Sequence, residues 1–100
     1  MEKSLPHYNL GTIKVAFSTV AGLRMTRSAL TASEALGLTL SDVVALIQGL
    51  TREQFYKSMT SLADHRIWQD VYHVPHEGTV LYVKFTTDAE GYLVISLKEK

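Results

Sequence analysis

The chain has 100 residues, 46% of them hydrophobic and 20% charged, and it contains no cysteine. That length suits one domain around a single modest core, and the composition is that of a globular rather than a disordered chain. The missing cysteines exclude a disulfide framework and any thiolate metal site.

Ten basic residues balance ten acidic ones, whereas free-standing nucleic-acid binders are usually basic. Any attraction for a polyanion therefore has to come from a local patch rather than a global field. No apolar run approaches bilayer length, and the first residues lack a basic stretch leading into an apolar core. A soluble, cytoplasmic protein is expected.

The first half reads helical. Asn9 is a plausible N-cap, with Leu10, Ile13, Phe17 and Val20 close to helical spacing before Gly22. Leu23 to Thr26 is too short for a further helix and is expected as a short strand. Thr31 with Glu34 forms a capping-box pattern for a brief helix stopped by Gly37. The next helix is predicted over Ser41 to Gln48, with Val43, Val44, Leu46 and Ile47 mostly inward and Gly49 at its end. A last helix is expected from Thr51, with Gln54 as its capping-box partner, carrying Phe55, Tyr56 and Met59.

The second half alternates. Trp68 to Val74, Val80 to Thr86 and Tyr92 to Lys98 read as strands, with Pro75 and Gly78, then Asp88 and Gly91, supplying the turns. The expectation is an antiparallel meander of three strands in an α+β domain, with the helices packed on one face of the sheet. One domain, residues 1–100, accounts for the whole chain.

Parity says which side chains the helices leave uncovered. Leu81, Val83 and Phe85, with Leu93, Ile95 and Leu97, form the apolar sets of two strands. The opposite face then carries Tyr82, Lys84, Ser96 and Lys98. In the strand from Trp68, Asp70 and Tyr72 share one parity, Gln69 and His73 the other. A polar face on an antiparallel sheet is commonly just solvated. The functional alternative is an anion site for phosphate, with Tyr82 and Lys98 close across paired strands, bordered by Lys57 and Gln69.

Other candidates carry less. His73 and His76, with His65 upstream, read as surface or turn histidines, because a metal site needs three or more convergent ligands. His7 beside Pro6 reads as a packed residue of the N-terminal segment, with a base role as the alternative. Trp68 reads as a core or core-edge anchor. Phe55 is assigned to the core and Tyr56 is left open. Asp70 reads as a structural carboxylate holding Arg66 or a backbone turn. Arg24 and Arg27 are either a solvated pair or part of a phosphate-contacting rim. No catalytic triad order, nucleotide-binding glycine loop, carboxylate pair or zinc pattern is present.

The run Phe55-Tyr56-Lys57-Ser58-Met59-Thr60, followed by Asp64-His65-Arg66-Ile67-Trp68-Gln69-Asp70-Val71-Tyr72, resembles the MqsR toxins of bacterial type II toxin–antitoxin systems. The resemblance extends to Met1-Glu2-Lys3 with Pro6-His7, to Thr26-Arg27-Ser28-Ala29-Leu30, and to Ser96-Leu97-Lys98-Glu99-Lys100. It implies a small RelE-like ribonuclease fold with an antiparallel-dominated sheet. It also implies a cytoplasmic mRNA interferase that causes growth arrest and is neutralised by an MqsA-like antitoxin, itself a zinc- and DNA-binding protein. Cleavage in the family needs no metal or other cofactor: the ribose 2′-hydroxyl attacks the adjacent phosphate, leaving a 2′,3′-cyclic phosphate and a 5′-hydroxyl. Carried onto this sequence, the catalytic positions are Lys57, Gln69, Tyr82 and Lys98. Beside what the resemblance carries over, Arg27, His65 and Lys84 are expected as RNA-contacting positions. No membrane binding is expected, and no direct DNA binding except through the antitoxin complex. The sequence departs from the family pattern at Val74-Pro75-His76-Glu77, which is less basic, and at His73, where an arginine is usual. The reading from a different class is a non-catalytic module whose polar sheet face docks RNA or protein.

Overall fold

The computed structural model describes residues 1–100. A short strand β1 (Glu2–Lys3) is followed by helices α1 (Leu10–Ala16), α2 (Arg27–Ala35) and α3 (Leu40–Gln48), then strands β2 (Phe55–Thr60), β3 (Trp68–His76), β4 (Thr79–Thr87) and β5 (Leu93–Glu99). The five strands form one antiparallel sheet in sequence order, β1-β2-β3-β4-β5. The α+β expectation with helices on one face holds, and the sheet has two more strands than the meander predicted.

The helix ends show which local signals won. Asn9 caps α1 by accepting from Thr12 N at 3.0 Å, as its position suggested. The cap of α2 is Thr26, which accepts from Ala29 N, so the helix starts upstream of the expected Thr31–Glu34 box. It ends before Gly37, whose φ of 74° suits a residue without Cβ. Thr39 and Asp42 make a reciprocal capping box for α3, and Gln48 at its end donates to the carbonyls of Lys14 and Phe17, closing α1 against α3.

The helix expected from Thr51 does not form. Gln54 does accept from Thr51 N, but the turn is a single 3-10 one over Arg52–Gln54, and the chain then extends as β2. Phe55, Tyr56 and Met59, whose spacing imitates a helix, lie instead on a strand interrupted by a β-bulge. Phe55 pairs with Tyr72 and Lys57 with Val71, so two steps along β2 match one along β3. The bulge reverses parity, which sends Phe55 inward against Tyr72 (5.5 Å between centroids) while Lys57 faces the other side.

The expected strand over Leu23 to Thr26 reduces to one parallel bridge, Met25 to Ile95, which partly covers the outer edge of β5. Pro75 lies within β3 rather than in the turn. Beyond Tyr72 the β2 side of β3 is unpaired, so a residue without an N–H is tolerated there. The turn itself is Glu77-Gly78, with φ values of 46° and 79°, as a two-residue hairpin requires.

The core lies between the helices and one face of the sheet. Ile13, Phe17, Ala29, Val43, Ile47 and Leu50 meet Tyr72, Val74, Leu81, Val83, Phe85, Ile95 and Leu97. One carboxylate is buried on this side. Asp70, 0% exposed, accepts from His7 N (3.0 Å), Tyr8 N (2.8 Å) and Ser58 Oγ (2.7 Å). It therefore holds a backbone turn, one of the two expected roles. Arg66 pairs with Asp64 instead. No helix is long and apolar enough to cross a membrane.

Candidate active site

The register sorts the uncovered face into rows across the strands. One row runs Lys57, Val71, Lys84, Ser96, from β2 to β5. On one side of it lies His73, Tyr82, Lys98, extended by Tyr56 at the bulge, which stacks on His73 at 4.3 Å. On the other side Met59 pairs with Gln69, in line with Thr86 and Val94. Three lysines from three strands thus project onto one surface, because period-two alternation fixes their side.

These side chains surround a shallow depression of about 230 Å³ lined by Tyr56, Lys57, Met59, Val71, Tyr82, Lys84 and Lys98. Clefts of about 500 and 560 Å³ lie elsewhere, among the α2–α3 loops and beside α1, and neither collects lysines. The depression is the local cationic patch that a chain of zero net charge needs in order to hold a polyanion.

The charges are not equivalent. Lys57 donates to Glu2 of β1, and that hydrogen bond raises its pKa above the ordinary lysine value while lowering that of the Glu2 carboxyl. Lys84 shifts the opposite way. Burial on the inner strand β4, and then the charge of Lys98, lower its pKa. It has no carboxylate partner. Lys98 is exposed on β5, with Nζ 5.9 Å from the centre of the Tyr82 ring. His73 is half-buried between Tyr56 and Tyr82, its pKa lowered by burial and then by Lys100.

Of the positions singled out from sequence, Lys57, Tyr82, Lys84 and Lys98 converge on the depression. Gln69 lies on the same face, one row away beside Met59, at its margin. His65 and Arg27 do not join them. His65 is exposed in the loop between β2 and β3, and Arg27 opens α2 in the helical layer. His7 is exposed rather than packed as expected, although its ring stacks on half-buried Trp68 at 5.5 Å, with Lys3 Nζ 2.9 Å from its Nδ1. His73 is not the surface or turn histidine that its spacing suggested. Glu2 was missed altogether, since no local signal relates residue 2 to residue 57. No three histidine or carboxylate side chains converge as metal ligands would.

A surface of this kind can bind a phosphodiester, neutralise charge that builds on it, and offer both a phenol and amines for proton transfer. Comparison with known proteins supplies the chemical context. Residues 5–99 match the family described as motility quorum-sensing regulator, toxin of MqsA. The chain is also 41% identical to the mRNA interferase toxin MqsR of Escherichia coli (strain K12), over 100 residues that span all of both chains.

Proposed function

The chain belongs to the MqsR toxin family, and on that premise we propose that it is an endoribonuclease toxin that cleaves mRNA without a metal and is held inactive by a cognate antitoxin. The observation that carries this reading is the joining of Lys57, Lys84, Lys98 and Tyr82 around one depression on a sheet face that the helices leave open. The fold is then of the RelE-like ribonuclease kind, and the protein acts in the cytoplasm, where its substrate is.

The reaction needs three things from the protein. A base takes the proton of the ribose 2′-hydroxyl as that oxygen attacks the neighbouring phosphorus. Positive charge stabilises the pentacoordinate phosphorane. A donor supplies a proton to the departing 5′-oxygen. Lys57 and Lys98 supply charge, Tyr82 donates to the leaving or non-bridging oxygen, and Gln69 positions the nucleotide at the margin. The products are a 2′,3′-cyclic phosphate and a 5′-hydroxyl. The inhibiting partner is an MqsA-like antitoxin, itself zinc- and DNA-binding.

The test is incubation of the purified protein with a defined single-stranded RNA in EDTA, with both product ends mapped. Discrete cuts bearing those two termini, lost in Lys98→Ala, are expected. Folded protein that cuts no RNA over a range of sequences would leave the non-catalytic binding module as the function of this face.

A further inference from the structure

We propose that Lys84 is the group that accepts the 2′-hydroxyl proton, and that Glu2 commits Lys57 to the complementary task of a fixed positive charge on the phosphate. This rests on the ribonuclease reading above and divides the work among its lysines.

The division follows from where each amine sits. Lys57, on β2, is engaged by a carboxylate that β1 brings alongside through the pairing of Glu2 with Met59. A carboxylate partner holds an amine in its ammonium form, which has no lone pair with which to accept a proton. Lys98 is on the outer strand and exposed, in ready contact with water. Lys84 lies on the inner strand β4, flanked by Val71 of β3 and Ser96 of β5, half-buried, with no anionic partner and no hydrogen bond from its amine to another protein group.

An amine removed from water and set among other cations loses its proton more readily, in keeping with the lowered pKa of Lys84. The titratable groups facing this surface are Glu2 from β1, Tyr56 and Lys57 from β2, and His73 from β3. Tyr82 lies on its own strand, and Lys98 and Lys100 on or just beyond β5. The one carboxylate among them is spent on Lys57.

The step balances. The 2′-oxygen gives its proton to the neutral Nζ of Lys84 and forms a bond to phosphorus. The bond from phosphorus to the 5′-oxygen breaks with its electron pair, and that oxygen takes the Tyr82 proton. Lys84 and Tyr82 then return to their starting states by exchange with water.

Arginine separates the two roles, because it keeps the charge but does not act as a base. Lys57→Arg should retain cleavage to within about tenfold, whereas Lys84→Arg should lose it by about 10²-fold or more. Both should bind a fully 2′-O-methylated RNA oligonucleotide with affinity close to that of the unmodified protein. Because the chain has no cysteine, Lys84→Cys can be alkylated at that one thiol to an aminoethyl side chain, a lysine analogue of lower basicity. Cleavage should return, with the rising limb of its pH–rate profile moved to lower pH. A merely structural amine would leave that limb in place.

Lys84→Arg cutting within tenfold of the parent protein would overturn the proposal, as would an unmoved limb in the alkylated protein. A parent protein that yields no cyclic phosphate would fail at the earlier step, the ribonuclease reading itself.

Discussion

Ser58 and Asp70 face each other across β2 and β3, and the serine hydroxyl donates to the carboxylate at 2.7 Å in a fully buried site. The same oxygen accepts from His7 N, and its twin accepts from Tyr8 N. One carboxylate thereby fixes the N-terminal segment, the approach to α1, and the strand whose next residue is Lys57. Asp70→Asn keeps the shape but turns an amide N–H₂ toward a backbone donor in either orientation. The expected cost is about 1–3 kcal/mol of folding stability, measured by urea unfolding. A midpoint equal to that of the parent would mean the network is not needed.

Tyr82 and Lys98 are direct cross-strand partners on the open face. Neither belongs to the core cluster. Tyr82→Phe and Lys98→Ala should each reduce RNA cleavage by about 10²-fold or more, with folding stability changed by no more than about 1 kcal/mol. Full growth arrest by both variants would remove these residues from the site.

The Glu2–Lys57 pair has a signature in titration. The Glu2 carboxyl is held below its ordinary value of 4.5 chiefly by the hydrogen bond from Lys57. Its contribution is therefore present above 4.5 and lost as pH falls through the lowered folded value. Lys57 is raised above 10.5 by the same contact, so its contribution is present below 10.5 and lost as pH rises through the raised value. Carbon-detected NMR of Glu2 should give a midpoint that moves up in Lys57→Met. A midpoint indifferent to that substitution would show that the pair does not persist in solution.

Glu77 adopts φ 46° in the turn between β3 and β4, where a side chain with Cβ is disfavoured. Asparagine tolerates this conformation, and Asn-Gly is the preferred pair in such hairpins. Glu77→Asn should raise stability by roughly 0.5–1 kcal/mol, read as a higher thermal midpoint. A lower midpoint would mean that the contact of Glu77 with His76, 3.7 Å apart, outweighs the backbone strain.

Much of this fold was legible because its signals are local. Asn9, Gly49 and the alternation of Leu81, Val83 and Phe85 each act within a few residues, and the uncovered face followed from parity alone. The cap at Thr26 is local too, but with Ala29 three residues on it makes no capping box, and Thr31 with Glu34 imitates one. The other failures were long-range. Thr51 with Gln54 is a true turn signal, but whether a helix follows was decided by the pairing of β2 with β3 and β1. Lys57 reached the expected face by way of a strand instead of a helix. His73 was misjudged because two aromatic rings, one delivered by the bulge at Tyr56, enclose it.

The bulge also sets a constraint on how this segment can change over generations. Phe55 must point to the helices and Lys57 to the opposite surface, although a regular strand would turn both the same way. The bulge absorbs the residue between them and so reconciles the two demands. Deletion of Tyr56 would leave Phe55 and Lys57 as neighbours, which alternation alone sends to opposite faces, and would cost only the ring that stacks on His73. The constraint on descendants of this chain is therefore that any residue standing between Phe55 and Lys57 must be absorbed by a bulge.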